Sequence, residues 1–183
     1  MLSKQSIQNQ VQSDVVIFKN ALTKDQVEFI LNSITDPVSM RGTNEYYSNE
    51  SDTPLYAGIS DADANLLLHK TINTLLDEME KIYGGIAIRS GSSFRYNEYR
   101  IGHGYKKHID RSHNSKATAD REISVVIGAN SDYSGGDLIF PRQDLSIRVE
   151  AGDVIVFPSG YTHPHEVTPV TKGTRKTIVT WLS

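Results

Sequence analysis

The chain has 183 residues, 38% hydrophobic and 22% charged, with a formal net charge of −3 and no cysteine. That length supports one domain with a true core, while the charge and the lack of a long basic run argue against nucleic acid as a partner, and the missing thiols exclude disulfides, thiolate metal sites and a cysteine nucleophile. The polar start Met1-Leu2-Ser3-Lys4 is no secretory signal and no apolar run reaches the roughly 20 residues of a membrane helix, so a cytoplasmic protein with no membrane association is expected, its oligomeric state open.

Residues 1–13 are polar and read as loose. Residues 14–19 contain Val15-Val16-Ile17-Phe18, a short strand. Thr23 with Gln26 three residues on has the pattern of a capping box; the helix it opens runs to about Ser33, with Val27, Ile30 and Leu31 on one face. Residues 35–58 hold prolines, glycines and three tyrosines without periodicity, and read as a long loop of the kind that serves as a lid or binding segment. Ser60 is positioned to cap a second helix over 61–83. Leu68, Ile72, Leu75, Leu76, Met79 and Ile82 recur along it at helical spacing as a core face, and His69 beside them reads as a surface or packing residue. Gly84-Gly85 stops the helix.

Beyond Gly85 short strands alternate with turn residues, over about 86–89, 92–99, 105–110, 123–129, 136–141, 145–149, 153–158, 163–168 and 174–182. Two helices followed by strands at this spacing predict a mainly β protein, a jelly roll with helices packed on one sheet. No repeat or linker divides the chain. It reads as a single domain over 1–183, with about 1–91 as helical support and lid and about 92–182 as barrel core.

His108-Ile109-Asp110 falls on the strand over 105–110. Side chains two apart on a strand share a face, so an imidazole nitrogen and a carboxylate oxygen converge there. A metal needs a third ligand, for which His103, His113, His163 and His165 are the candidates. His163 and His165 follow the buried run Val154-Ile155-Val156-Phe157, which a jelly roll can set opposite the His108 strand. Two histidines and one carboxylate on one face of a metal leave about three open positions, as in non-haem iron(II) oxygenases; zinc hydrolases also mix histidine and carboxylate ligands. On the strand over 174–182, Arg175, Thr177, Val179 and Trp181 share one face. A guanidinium inside a small barrel is costly unless it meets an anion. Its planar fork suits a carboxylate, with the Thr177 hydroxyl as a second donor. A dicarboxylate tied to the metal at one end and to Arg175 at the other fits; otherwise Arg175 pairs with a protein carboxylate, or Lys176 faces inward.

His108-Ile109-Asp110, Gly135-Gly136-Asp137-Leu138-Ile139-Phe140-Pro141, Gly152-Asp153-Val154-Ile155-Val156-Phe157-Pro158, His165-Glu166-Val167-Thr168-Pro169-Val170 and Gly173-Thr174-Arg175 occur in that order. The series resembles the iron(II)- and 2-oxoglutarate-dependent dioxygenases, specifically the prolyl 4-hydroxylase-like branch, over about residues 92–182. The resemblance implies a double-stranded β-helix in which His108, Asp110 and His165 bind iron and Arg175 binds the distal carboxylate of 2-oxoglutarate. His165 is preferred to its rival His163 because of the Glu-Val-Thr-Pro-Val that follows it. Tyr99 matches a tyrosine that contacts the co-substrate, Thr177 and Trp181 border the same pocket, and Arg121 matches an arginine near the peptide-binding mouth. Tyr46 and Tyr47, in the long loop, and the loop 111–120 are the expected substrate covers. Fe(II), 2-oxoglutarate and O2 are the implied cofactors, with ascorbate as an optional addition. The implied reaction is hydroxylation of an unactivated carbon, a prolyl residue of a peptide or protein first, with succinate and CO2 as co-products; a free amino acid, another side chain or a small molecule is the alternative, and a non-catalytic metal-stabilised binding module the alternative of another class. Two departures stand out. Gly128 occupies a position where the family often has a tyrosine that helps hold the distal carboxylate, and Arg175 stands where the collagen-type enzymes use lysine.

Overall fold

The computed structural model describes residues 9–12, 14–39, 46–47, 54–84, 93–112, 116 and 118–183. In chain order these form β1 (Asn9–Gln12), β2 (Val15–Phe18), α1 (Lys24–Asn32), β3 (Val38–Ser39), β4 (Tyr46–Tyr47), β5 (Leu55–Gly58), α2 (Ala62–Tyr83), β6 (Arg95–Tyr99), β7 (Gly104–His108) and β8 (Ile123–Gly128). There follow β9 (Ser134–Gly135), β10 (Leu138–Phe140), β11 (Leu145–Ile147), β12 (Val154–Pro158), β13 (His165–Val167), β14 (Val170–Lys172) and β15 (Arg175–Leu182). The protein is mainly β, with antiparallel sheets and few helices.

An eight-stranded sheet has the order β1-β2-β12-β8-β15-β6-β5-β3, and a five-stranded sheet the order β11-β10-β13-β7-β4. β9 and β14 pair separately. Strand alternation sorts the large sheet's side chains into two layers. Val154 and Val156 of β12, Ile123, Val125 and Ile127 of β8, and Ile178 and Leu182 of β15 pack with the helices. α1 contributes Val27 and Ile30, and α2 contributes Leu68, Ile72, Leu75 and Met79. Ile155 and Phe157 of β12 face the other way, against Leu138, Phe140 and Val167 of the small sheet. β12 is thus buried on both faces, which is why its sequence is a continuous apolar run rather than an alternating one. The cavity described below lies between the two sheets.

Several expectations need correction. Residues 9–12 are not loose: they form β1, paired with β2 in the register Gln10↔Ile17. The open edge of β2 offers backbone partners whatever the polarity of the segment that takes them. For the same reason the long loop over 35–58 contains three short strands, β3, β4 and β5, with β5 laid along β6 from Leu55↔Glu98 to Gly58↔Arg95. The second helix is capped by Asp61, not Ser60: the Asp61 carboxylate accepts from the Ala64 amide at 2.8 Å. The expected strand over 105–110 stops at His108, so Asp110 lies two residues beyond β7. The strand expected over 163–168 shortens to His165–Val167, leaving His163 in the turn before it. Residues 86–89 and His113 lie outside the described residues. The Thr23/Gln26 capping box is formed on both sides, at 3.2 and 2.8 Å. His69 is a surface residue that meets Phe94 edge-on.

Candidate metal centre

His108 ends β7, Asp110 follows it in a bend, and His165 opens β13 directly across from His108 in the antiparallel register. One ligand atom from each of the three lies within 4.8 Å of the others. Asp110 spans the two rings: its Oδ1 is 3.5 Å from His108 Nε2 and its Oδ2 is 3.7 Å from His165 Nε2. The other ring nitrogens are occupied. His108 Nδ1 is 2.8 Å from the Lys106 carbonyl and His165 Nδ1 is 3.1 Å from the His163 carbonyl. A carbonyl only accepts, so each Nδ1 carries the proton and each Nε2 lone pair points into the cluster, the state a metal ligand needs.

Burial favours the neutral Asp110 acid, but the His108 contact, the charges of His165 and His108 and a hydrogen bond from Ser124 outweigh it and hold the carboxyl below the usual carboxylate range. Ser124 Oγ donates to Asp110 Oδ2 at 2.6 Å and is itself 2.7 Å from Ser159 Oγ, so the carboxylate is oriented from behind. Burial lowers His165 to about 4, against the opposing pull of Asp110. Both groups are therefore deprotonated near neutral pH and ready to bind a cation.

His163 and His103 do not join the cluster. The buried His163 ring turns to Thr162 Oγ1 at 2.9 Å, while its carbonyl holds His165. The buried His103 ring accepts the Arg100 amide at 3.2 Å.

Arg175 lies in the same cavity, which has a volume of about 120 Å³ and also holds the three ligand candidates. Its side chain is buried; Nη1 donates to Thr177 Oγ1 at 3.3 Å, and the guanidinium stands 5.7 Å from the centre of the Tyr99 ring. Among the described residues Nε is buried without a hydrogen-bond partner and no carboxylate forms an ion pair with Arg175. A buried guanidinium whose Nε has no partner and whose charge meets no carboxylate among the described residues suits an anionic ligand. Lys176 faces the opposite side of β15, toward α1. Thr177 and Trp181 line the cavity with Arg175, as strand alternation requires. Gly136 makes room for the arginine stem, because a Cβ there would lie 2.7 Å from Arg175 Cδ.

Gly128 has a steric cause. A Cβ on it would overlap the Glu150 carbonyl, where the turn before β12 crosses β8. Gly128 donates to Asp153 O and accepts from the Gly152 amide, both at 2.9 Å. Tyr133 stands near Arg175 instead: burial raises its pKa against the pull of the Arg175 charge, and its hydroxyl donates to Val149 O at 2.6 Å.

Arg121 stacks on Trp181, 3.6 Å from the ring centroid, and its Nη1 donates to the Asp110 carbonyl at 3.3 Å. Tyr46 and Tyr47 form β4, beside Tyr105 and Gly104 of β7, the strand that ends at His108; their side chains are outside the described residues. Sequence reasoning missed Ser124, Ser159, Tyr133, Arg95, Asn97 and Tyr105, whose ring packs 4.0 Å from that of His108. Ser124 had a signal: it is the polar member of the alternation Ile123-Ser124-Val125, on the face away from the helices.

Residues 94–183 match the family model described as 2OG-Fe(II) oxygenase superfamily. A PKHD-type hydroxylase of Colwellia psychrerythraea is 28% identical over 127 residues, covering 67% of this chain and 56% of that protein. The chain spans about half, or less, of the length of the curated relatives it matches. A Pseudomonas putida prolyl-4-hydroxylase superposes with a TM-score of 0.73 at 19% identity, over 92% of this chain and 91% of that one. A Trichoplax adhaerens prolyl hydroxylase, solved in complex with a hypoxia inducible factor oxygen degradation domain peptide fragment, gives a TM-score of 0.71 at 19% identity, over 92% and 83%. At these identities the likeness to the solved structures is one of fold.

Proposed function

We infer the function from one premise: residues 94–183 of this chain belong to the 2OG-Fe(II) oxygenase superfamily and are prolyl 4-hydroxylase-like. On that footing the protein is an oxygenase that uses Fe(II) and 2-oxoglutarate, and we propose that it hydroxylates an unactivated carbon of a peptide or protein, a prolyl residue first. The observation that carries the reading is Arg175, a buried guanidinium with an orphaned Nε in the same cavity as His108, Asp110 and His165. A zinc hydrolase or a metal-stabilised binding module leaves that charge without a purpose. The two facing sheets, on this reading, are the jelly roll of a single oxygenase domain.

His108, Asp110 and His165 would hold Fe(II) on one face. Bound Fe(II) supplies oxygen activation, coupled to conversion of 2-oxoglutarate to succinate and CO2. The remaining work belongs to the protein. Arg175 and Thr177 take the distal carboxylate and Tyr99 packs against it. Ser124 fixes the Asp110 carboxylate, and the two backbone carbonyls hold the histidine tautomers. Arg121 and Trp181 border the substrate side, and Tyr46 and Tyr47 are proposed as substrate contacts from β4, which lies along β7. The peptide-bound Trichoplax neighbour supports a peptide target.

The test is succinate release from protein reconstituted with Fe(II) and 2-oxoglutarate, with and without ascorbate, followed by mass spectrometry of proline-rich peptides. Release should need Fe(II) and disappear in Asp110→Ala, and a single oxygen should be gained on proline. Near-normal succinate from Asp110→Ala would sink the metal assignment. Oxygen gained on another residue would keep the oxygenase and replace the target.

A further inference from the structure

The cavity has a second cationic pole. Arg95 and Arg121 both stand over Trp181, with guanidinium carbons 5.3 and 3.6 Å from the ring centroid. Arg95, Asn97 and Tyr99 are alternate residues of β6 and line the cavity together. The β6–β15 register sets Tyr99 beside Arg175, Asn97 beside Thr177 and Arg95 beside Val179, so the wall runs from the Arg175 end toward Trp181. Six residue steps of extended chain lead from Arg175 to Trp181, about 20 Å along the strand. Trp181 pairs with Ser124, which holds Asp110, so the second pole stands beside the metal ligands. A five-carbon diacid already divided between Arg175 and the ligand cluster has no carboxylate left for it.

Two guanidiniums gathered on one indole repel each other, and burial together with Arg95 disfavours the Arg121 charge more than the nearby Asp110 and Asp120 charges favour it. Among the described residues neither Arg95 nor Arg121 forms an ion pair with a carboxylate. The Asp110 oxygens are engaged by His108, His165 and Ser124. Glu98 lies on the opposite face of β6, bonded to Tyr96 and Arg100. Asp120 is next to Arg121 in the chain but makes no ion pair with it. Arg95 Nε and Asn97 Oδ1 are both buried with no partner among the described residues, and Asn97 is only 4% exposed. Unpartnered polar atoms in series along a cavity wall are costly to bury and are satisfied by a polar ligand. The Asn97 amide can present either end to it.

We propose that Arg95 and Arg121, with Asn97, recognise a carboxylate carried by the substrate and hold it at the Trp181 face beside the metal ligands. This rests on the oxygenase reading and narrows it: the hydroxylated carbon lies within a few bonds of an acid group. That group is either an Asp or Glu side chain neighbouring the target residue in a peptide, or the free carboxylate of a single amino acid. Both present the same planar anion to the guanidinium forks.

Trp181 is the only tryptophan of the chain, so its emission reports on this site directly. Protein loaded anaerobically with Fe(II) and saturating 2-oxoglutarate is titrated with acetyl-Pro-Glu-amide against acetyl-Pro-Gln-amide, and with L-proline against L-prolinamide. The acid of one pair should bind about tenfold more tightly than its neutral partner; which pair shows this identifies the source of the carboxylate. Arg95→Gln should bring that ratio to within about threefold, and Arg95→Lys, which keeps the charge, should preserve most of it. Equal affinities within both pairs would overturn the proposal. So would an acid preference undiminished in folded Arg95→Gln and Arg121→Gln, which would return the anion to Arg175. Acid preference without Fe(II)-dependent succinate release would remove the oxygenase reading and leave the carboxylate site standing; succinate release without acid preference would do the reverse.

Discussion

Arg175 is buried at a cost, and removing it should reveal that cost. In Arg175→Met the apolar stem still fills the space beside Gly136, while the uncompensated charge is gone. Replacing a buried charge by an apolar side chain of similar volume is often neutral or stabilising, so the melting temperature should hold or rise. The half-saturating 2-oxoglutarate concentration should rise on the order of 10–100-fold, the value of a lost charge-assisted pair. An unchanged co-substrate dependence would move the anchor to another residue. The position of Arg175 on the cavity face was legible in the sequence because period-two alternation and the cost of a buried cation act locally. The same alternation brought His108 and Asp110 to one side, although the strand ends between them. The partners behind these residues were not legible. Ser159 meets Ser124, and Tyr133 approaches Arg175, only because strands far apart in sequence are neighbours in space.

Elements with strong apolar runs were readable for the same reason, as β2, β8, β12 and β15 show. Those formed by polar or very short segments were not. β1 and β4 exist because a sheet edge accepts any backbone that reaches it, which no side-chain pattern announces. The crossing of β8 by the turn before β12 is a further feature invisible in one dimension. It leaves Gly128 no space for a side chain. Gly128→Ala should therefore push the turn away and destabilise the protein by about 2 kcal/mol, a fall in melting temperature of roughly 4–8 °C for a chain of this length. A melting temperature unchanged in this variant would show that the turn yields freely and that some other cause keeps the family's tyrosine out.

For the whole molecule, the helices cover one face of the large sheet and leave the other to the small sheet and the cavity between them. The three ligand candidates tie β7 to β13 within the small sheet, and Ser124 ties that cluster to the large one. A metal bound there should stabilise both sheets together. Anaerobic Fe(II) at about a hundred times its dissociation constant should add about 2.7 kcal/mol, read as a single cooperative transition shifted upward. Asp110→Ala should show no such shift; a shift equal to that of the wild type would mean that the stabilising ion sits elsewhere. The strand order has a consequence for biosynthesis. β15 follows β6 and β8 and every other described strand in sequence, yet it lies in the interior of the large sheet between β8 and β6. Until the ribosome has added Leu182, those two strands keep unpaired edges, and Arg175, Thr177 and Trp181 have no wall to stand on. Such edges invite pairing with other nascent chains. At ordinary elongation rates they stay open for seconds, so the cavity is completed only when β15 slots between its two neighbours, and its walls are adhesive until then.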